Sequence, residues 1–504
     1  MRRNEYFYKS MGAVCGLALA ALATSGIAYA ASLTLSPNMK NPAGVISMSG
    51  SGFSPRELVD IYLDTNQLAL AATNAKSAFS LGSIRIPAAT SPGLHWITAV
   101  ARKTHRAVQQ PLIVTTDWSH RRFDNNGSGH NPFENTLSTG NVARLGQRWA
   151  TRFNYDVNYG AAAAQGVLFV TALDTINALN PKTGARLWAR SIDGGTFSSP
   201  VLGGGLVFMS SVAGRVEAYN AKTGALKWKS AKFGDSGIGA TPTYANGKVY
   251  VSTFEGGFAA IDAKTGEYDW MTIIDPAWTA GRYNVSAATY ALGSIYIGNT
   301  AGDLVAIDAS NGSSRWTYST NHSAISDQPV FSNGRIFFSS YQNIYCVDDE
   351  GGLIWTKTAA DSIVTSMTIS GTSIFYIDYS GNIAALNVDS GAVRWTRATG
   401  IASDAGISSA NGVVYANQSG KISALSEATG ELLWSAVGGI PYDAAPLVSD
   451  GMLFVGGRGR TLRAFAIDSG AHLAAQERLA SRPPDVNSLR PTLAVDAPAS
   501  VGSD

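Results

Sequence analysis

The sequence predicts an all-β protein: a closed β-propeller of eight blades preceded by a small β-sandwich. Three observations carry this. A hairpin that ends in tryptophan recurs down the chain at a period near 40 residues, the signature of stacked supersecondary units of about four short strands. A further tryptophan, Trp149, stands one full period ahead of the first complete copy. The stretch before residue 117 lacks the repeat but keeps short apolar runs separated by Gly, Pro, Asn and Ser.

The repeat is clearest in GFAAIDAKTGEYDW, Gly257 to Trp270. Phe258 and Ala260 alternate with Ala259 and Ile261, a period of two. Lys264-Thr265-Gly266 reads as a three-residue hairpin turn whose glycine supplies the positive φ. Six relatives of this stretch end at Trp188, Trp228, Trp316, Trp355, Trp395 and Trp434, and an eighth copy carries Ala474 where tryptophan is expected. Successive tryptophans from Trp188 lie 40, 42, 46, 39, 40 and 39 residues apart. The repeated residues by themselves are hairpin formers and core tryptophans, with no chemistry.

The turn-plus-tryptophan pattern, in its fullest form A-x-D-x-x-T-G-x-x-x-W, resembles the pyrroloquinoline-quinone-type repeat, also called the tryptophan-docking motif. The resemblance covers about residues 140–475. It implies an eight-bladed propeller. Two groups share that fold: quinoprotein dehydrogenases, and non-enzymatic scaffolds such as the lipoprotein of the outer-membrane β-barrel assembly machine.

Taken in order, residues 1–30 read as a secretory signal peptide. Arg2, Arg3 and Lys9 precede an apolar stretch from Met11 to Ala23, and Ala28-Tyr29-Ala30 is a small-x-small cleavage site. Cys15 lies inside the apolar stretch, after Gly12-Ala13-Val14, which departs from a lipid-anchor site. Removing the signal takes three of 38 basic and one of 36 acidic residues, leaving 35 against 35. No basic stripe marks nucleic-acid binding. The mature chain keeps one cysteine, Cys346, so no intrachain disulfide forms, and no long apolar run follows, so no transmembrane segment is expected.

Residues 31–116 hold six or seven short strands, and SGSGFSPRELVDIYLD resembles the second and third strands of bacterial immunoglobulin-like domains. Residues 117–143 are a polar lead-in. His120 and His130 lie in it without a third ligand at a telling spacing, so packing roles are expected rather than a metal. Residues 144–476 form the propeller. The strand at Trp149 completes the last blade beside Leu462 to Ile467, because a closed ring leaves no open sheet edge. Residues 477–504 are rich in proline and small polar residues and read as a disordered tail.

Function must come from what varies on the scaffold. Each segment joining a tryptophan strand to the next inner strand holds an aspartate: Asp156, Asp193, Asp235, Asp275, Asp327, Asp361, Asp404 and Asp443. These are either turn-forming residues or an acidic rim at one channel mouth that takes cations or basic partners. The longest repeat has extra residues in DPAWTAGRYNVS. There Trp278, Arg282 and Tyr283 are interface-anchoring types, or a loop folded on its own tryptophan. Tyr155, Tyr159 and Tyr442 become neighbours if the ring closes.

Quinoprotein alcohol dehydrogenases carry a vicinal cysteine pair, a Glu/Asn/Asp calcium set and an aspartate base. No residues here match them, and no Ser-His-Asp or Cys-His set is readable. No catalytic residue is therefore assigned. The expectation is an exported monomer of the periplasm or cell envelope that binds another envelope protein or polymer, with no cofactor and no metal site. Two alternatives stay open: a dehydrogenase using pyrroloquinoline quinone with calcium, and a carbohydrate- or surface-binding module.

Overall fold

The computed structural model describes residues 30–233, 237–275, 286–321, 324–363, 366–401, 406–437, 445–467 and 483–489. The signal-peptide reading lies outside them.

The described chain is all-β apart from two short 3-10 turns. Its N-terminal part folds as two sheets. One pairs Ser32–Ser36, Val45–Ser51 and Phe79–Arg85; the other pairs Met39–Lys40, Ala107–Val114, Gly93–Ala101, Leu58–Leu63 and Asn66–Ala72. Ile46, Met48, Phe53, Val59, Ile61, Ile97 and Leu112 fill the space between, a core separate from the rest.

The repeats form seven four-stranded sheets and one five-stranded sheet. We number them 1 to 8: residues 161–191, 201–229, 243–273, 289–319, 330–358, 368–398, 407–437, and 447–467 with Leu145–Arg152. In each, four antiparallel strands run from an inner to an outer position. Leu145–Arg152 pairs with Thr461–Ile467, Trp149 opposite Ala464, as ring closure requires. The expected closing strand is therefore the observed one.

The repeated turn is one residue longer than its sequence suggests. Asp262 N–H donates to Glu267 and Gly266 N–H to Asp262, so Ala263 belongs to the loop. Asp262 Oδ1 accepts from the amides of Lys264 and Thr265 at 2.9 and 2.8 Å, which holds the loop shut. Asn180, Asn220 and Asn387 do the same in their sheets.

Alternation also differs by position. The third strand, Gly257–Asp262, is buried on both faces, whereas the fourth, Tyr268–Ile273, alternates half-buried and exposed. Neighbouring sheets stack face to face, so inner strands have no solvent side. Tyr250, Phe258 and Ala260 of sheet 3 share one core with Ile295, Ile297 and Ile307 of sheet 4.

Tryptophan joins each sheet to the next. Trp188 Nε1 donates to Ala221, Trp228 to Ala263 and Trp270 to Ala309, at 3.0–3.2 Å. The ring stays shut at the seam, because Trp434 donates to Leu145 and Trp149 to Pro181. The turn glycine of the next sheet lies flat on the indole. A Cβ on Gly266 would come 2.6 Å from the Trp228 ring.

Within the expected tail, residues 483–489 hold a 3-10 turn, Val486–Ser488, and Gln109 of the N-terminal part donates to Pro484 at 2.9 Å.

Candidate functional site

Stacked sheets arranged in a ring leave their inner strands with unpaired amides facing the axis, and buried backbone groups must be paired. The lead-in supplies the partners. The Thr116 carbonyl accepts from Ser449 of sheet 8, and Trp118 exchanges both backbone bonds with Ala163 of sheet 1. Ser119 accepts from Leu202 of sheet 2, and the His120 ring meets the Tyr244 carbonyl of sheet 3. Asn125, Asn126 and Ser128 accept from Tyr290, Phe331 and Ile369 of sheets 4, 5 and 6. His130–Asn131 then runs parallel to sheet 7, and Asn131 Nδ2 returns to Val448 of sheet 8. Residues 116–131 are thus a belt that makes one circuit and touches every sheet. The polar lead-in runs along the inner edges of the sheets.

The belt turns inward at Arg122. Its guanidinium, 2% exposed, donates from Nη1 to Ile407 at 2.9 Å and from Nη2 to Thr368 Oγ1 at 2.7 Å and the Met367 carbonyl. Nε has no partner. Burial first, and then the charge of Arg121, pull its pKa down to about 10. Trp118, Arg121, Arg122, Asp327 and Ser366 border a cavity of about 10 Å³ above the belt, room for about one water.

Both lead-in histidines are packing residues. His120 is 8% exposed and its Nδ1 meets Ser119 Oγ at 2.9 Å; His130 Nδ1 meets Ser409 Oγ at 2.8 Å. Burial lowers both to about 4, so they are neutral. Among the described residues no cluster of three or more His, Cys, Asp or Glu could hold a metal ion. Cys346 is buried and its thiol pushed up to about 12, an inert core residue.

The loop aspartates are not brought together. Asp156 accepts from the Gly459 amide at 3.0 Å, across the seam between sheets 8 and 1. Asp327 lines the central cavity and accepts from Ser366 at 3.0 Å. Asp361 accepts from the Ser362 amide and from Ser380 Oγ, chiefly the latter holding its pKa down. Asp193 faces Lys229 at 3.7 Å, and Asp275, 2% exposed, accepts from the Thr300 amide. Asp156, Asp275 and Asp361 thus brace backbone amides, whereas Asp193 and Asp327 meet side chains. Asp235, Asp404, Asp443, Trp278, Arg282, Tyr283 and Tyr442 lie outside the described residues.

Tyr155 is 42% exposed, and the Tyr159 ring sits 5.6 Å from the exposed Phe197. The sequence reading missed Tyr341 and Tyr379, exposed in the turns on either side of the loop that carries Asp361. Their signal was an aromatic in a tight turn, Tyr341 at φ 54°. It also missed Arg122, whose partners are mostly main-chain carbonyls and leave no pattern.

The comparisons with known proteins agree with this architecture. A burkholderial protein, Outer membrane protein assembly factor BamB of Burkholderia pseudomallei (strain K96243), is 35% identical over 88 residues, 17% of this chain. The match spans only 23% of that relative's length. Among solved structures, BamB from Moraxella catarrhalis superposes with TM-score 0.56 at 15% identity, covering 64% of this chain and 99% of that one. The quinohemoprotein alcohol dehydrogenase ADHIIG from Pseudomonas putida HK5 gives 0.61 at 16% identity, over 71% and 81%. At such identity both show the fold alone. The family described as Outer membrane protein assembly factor BamB matches residues 139–234, 172–397 and 379–496, well over half of the chain. The chain therefore belongs to this family of pyrroloquinoline-quinone-like repeat proteins.

Proposed function

We propose that this protein is an eight-bladed propeller scaffold of the cell envelope, carrying an immunoglobulin-like domain, that binds another envelope protein or polymer and does not catalyse. The single observation that carries the reading is the belt. It fills the axis with Trp118 and the buried Arg122 and leaves about 10 Å³ above them, far below the ~300–1,000 Å³ of a pocket for a tricyclic quinone.

The donor set argues the same way. Calcium takes six to eight oxygens, and the described loop aspartates lie apart, each with partners of its own. Arg122, beside the central cavity, already spends Nη1 and Nη2 on Ile407, Met367 and Thr368. A quinone with calcium therefore does not fit the described residues. The kinship with an outer-membrane assembly factor supports a protein partner in the envelope. Among the described residues no helix is long and apolar enough to cross a membrane. Exposed Tyr155, Phe197, Tyr341 and Tyr379 on the loop face suit an interface.

The test adds pyrroloquinoline quinone and calcium to the purified protein, and follows binding and dye-linked alcohol oxidation. We expect neither. Stoichiometric binding with turnover would install the dehydrogenase reading. In parallel, Trp278→Ala with Arg282→Ala should thin the set of envelope proteins captured; an unchanged set removes that loop from the interface.

A further inference from the structure

The belt has a second side. Opposite the central cavity, on the face that carries the turns between first and second strands, lies an open basin of about 550 Å³. Asp124, Asn125, Asn126, Tyr290, Leu292 and Phe331 line it, and neither lysine nor arginine does. Its rings are fixed in place. Tyr290 stacks on Tyr250 with centroids 6.1 Å apart and planes 21° apart, and Phe331 on Tyr296 at 6.0 Å and 10°. Both remain half-exposed. Asn125 Oδ1 is buried without a partner.

A second observation is independent of the first. In all eight repeat sheets the turn after the first strand places a residue at positive φ. Residues that tolerate this fill most of the positions: Asn246, Asn333, Asn411, Asp450, Gly204 and Gly371. Sheets 1 and 4 instead hold Gln165 and Leu292, at φ 54° and 50°, and of the two only Leu292 is apolar, 70% exposed. A leucine there has neither backbone ease nor burial to recommend it, and strain of this kind points to a site. It stands on the rim of the basin, two residues from Tyr290.

We propose that this basin binds a neutral saccharide carrying an acetamido group. Half-exposed aromatic rings pack against the C–H face of a pyranose. The side-chain amides of Asn125 and Asn126 exchange hydrogen bonds with its hydroxyls, while Asp124, whose oxygens accept from Ser128 at 3.0 and 3.1 Å, holds the belt turn beneath them. The methyl of the acetamide rests on Leu292. A basin without lysine or arginine favours an uncharged sugar over a phosphate or an acidic polymer. This inference does not rest on the scaffold reading: a protein partner on the loop face and a glycan on the turn face are separate sites.

The test titrates the full-length protein with tri-N-acetylchitotriose and, separately, with maltotriose, by calorimetry and saturation-transfer NMR. We expect saturable binding of the acetamido sugar and weaker binding of maltotriose. Asn125→Ala should weaken the first by about tenfold, the worth of one buried hydrogen bond. Leu292→Asn is the sharper variant. It restores the residue that three other sheets use, so the melting temperature should hold or rise while acetamido-sugar binding falls. Equal affinity for the two sugars overturns the proposal, as does absence of saturable binding at millimolar sugar. Unchanged binding in Leu292→Asn overturns it too.

Discussion

The rim and the axis of the repeat ring hold the same eight sheets together in opposite ways. At the rim one contact is used again and again: an indole lies on the next sheet's turn glycine and donates to the next turn's carbonyl. At the axis one segment, residues 116–131, passes every sheet in turn and meets most of them through its own main chain. The rim is redundant, because the same tryptophan contact joins sheet after sheet, the seam included. The axis is a single piece, and losing it uncovers eight inner edges together.

The largest expected effect follows from that asymmetry. Deletion through Thr115 removes a part with its own core and leaves the belt whole. That protein should stay soluble and melt cooperatively. Deletion through Ala150 removes the belt and most of the closing strand, and exposed strand edges invite aggregation. It should be recovered insoluble or without a cooperative melt. Equal behaviour of the two truncations, compared by size-exclusion chromatography and thermal melting, would show that the belt is dispensable.

The next effect tests redundancy at the seam. Trp149→Ala removes a large half-buried aromatic and should cost about 3 kcal/mol, the low end of the range for a tryptophan in a core. It packs against Phe454 with centroids 5.9 Å apart, and its Nε1–H donates to Pro181 at 2.8 Å. Trp228→Ala should cost a similar amount, since its environment repeats. Chemical denaturation of both variants decides it; a much smaller loss at Trp149 would mean that the seam is held by the belt alone.

The rim was legible in the sequence because its contact needs particular residues. Only glycine fits where a Cβ would stand about 2.6 Å from an indole, so each copy prints Gly and Trp at fixed offsets, and the closing role of Trp149 could be read from its spacing. The belt was not legible, because main-chain amides do most of the pairing and any residue has one. Arg122 was missed for the same reason. Of the candidate site, the loop aspartates were visible but their duty was not. A carboxylate that braces a turn and one that faces solvent occupy the same sequence position, and only Asp327 of those described reaches the central cavity. Leu292 was overlooked because an exposed leucine is unremarkable until its φ is known.

A pH measurement separates belt from rim, because the belt contains two buried neutral histidines. His120 has a folded-state pKa of about 4, depressed by burial from an ordinary value near 6.5. Its neutral form contributes stability that is complete above 6.5 and is lost as pH falls from 6.5 through 4. At most this amounts to about 3 kcal/mol. Asp450, raised by burial to about 7, titrates the other way and stabilises as pH falls through that value. Melting His120→Asn beside the parent from pH 7 to 4 cancels the Asp450 contribution. The parent should lose more stability than the variant, and parallel curves would place the His120 titration elsewhere.

The smallest predicted effect divides the two reasons for glycine in the turns of the sheets. Gly266 and Gly293 both sit in turns at positive φ, 80° and 78°. A Cβ on Gly266 would meet the Trp228 ring at 2.6 Å, whereas one on Gly293 meets nothing within 4 Å. Alanine at Gly293 therefore carries only the backbone penalty of the left-handed region, about 1–2 kcal/mol. Alanine at Gly266 carries the same penalty and must also push the indole away, loosening its bond to Ala263 at 3.0 Å. Gly266→Ala should be the less stable of the two by about 1 kcal/mol or more, within the overpacking range, and should change the tryptophan fluorescence of the folded state. Gly293→Ala should leave that fluorescence as it was. If the two variants have equal stability, the indole yields freely, and glycine is required at the rim by backbone conformation alone.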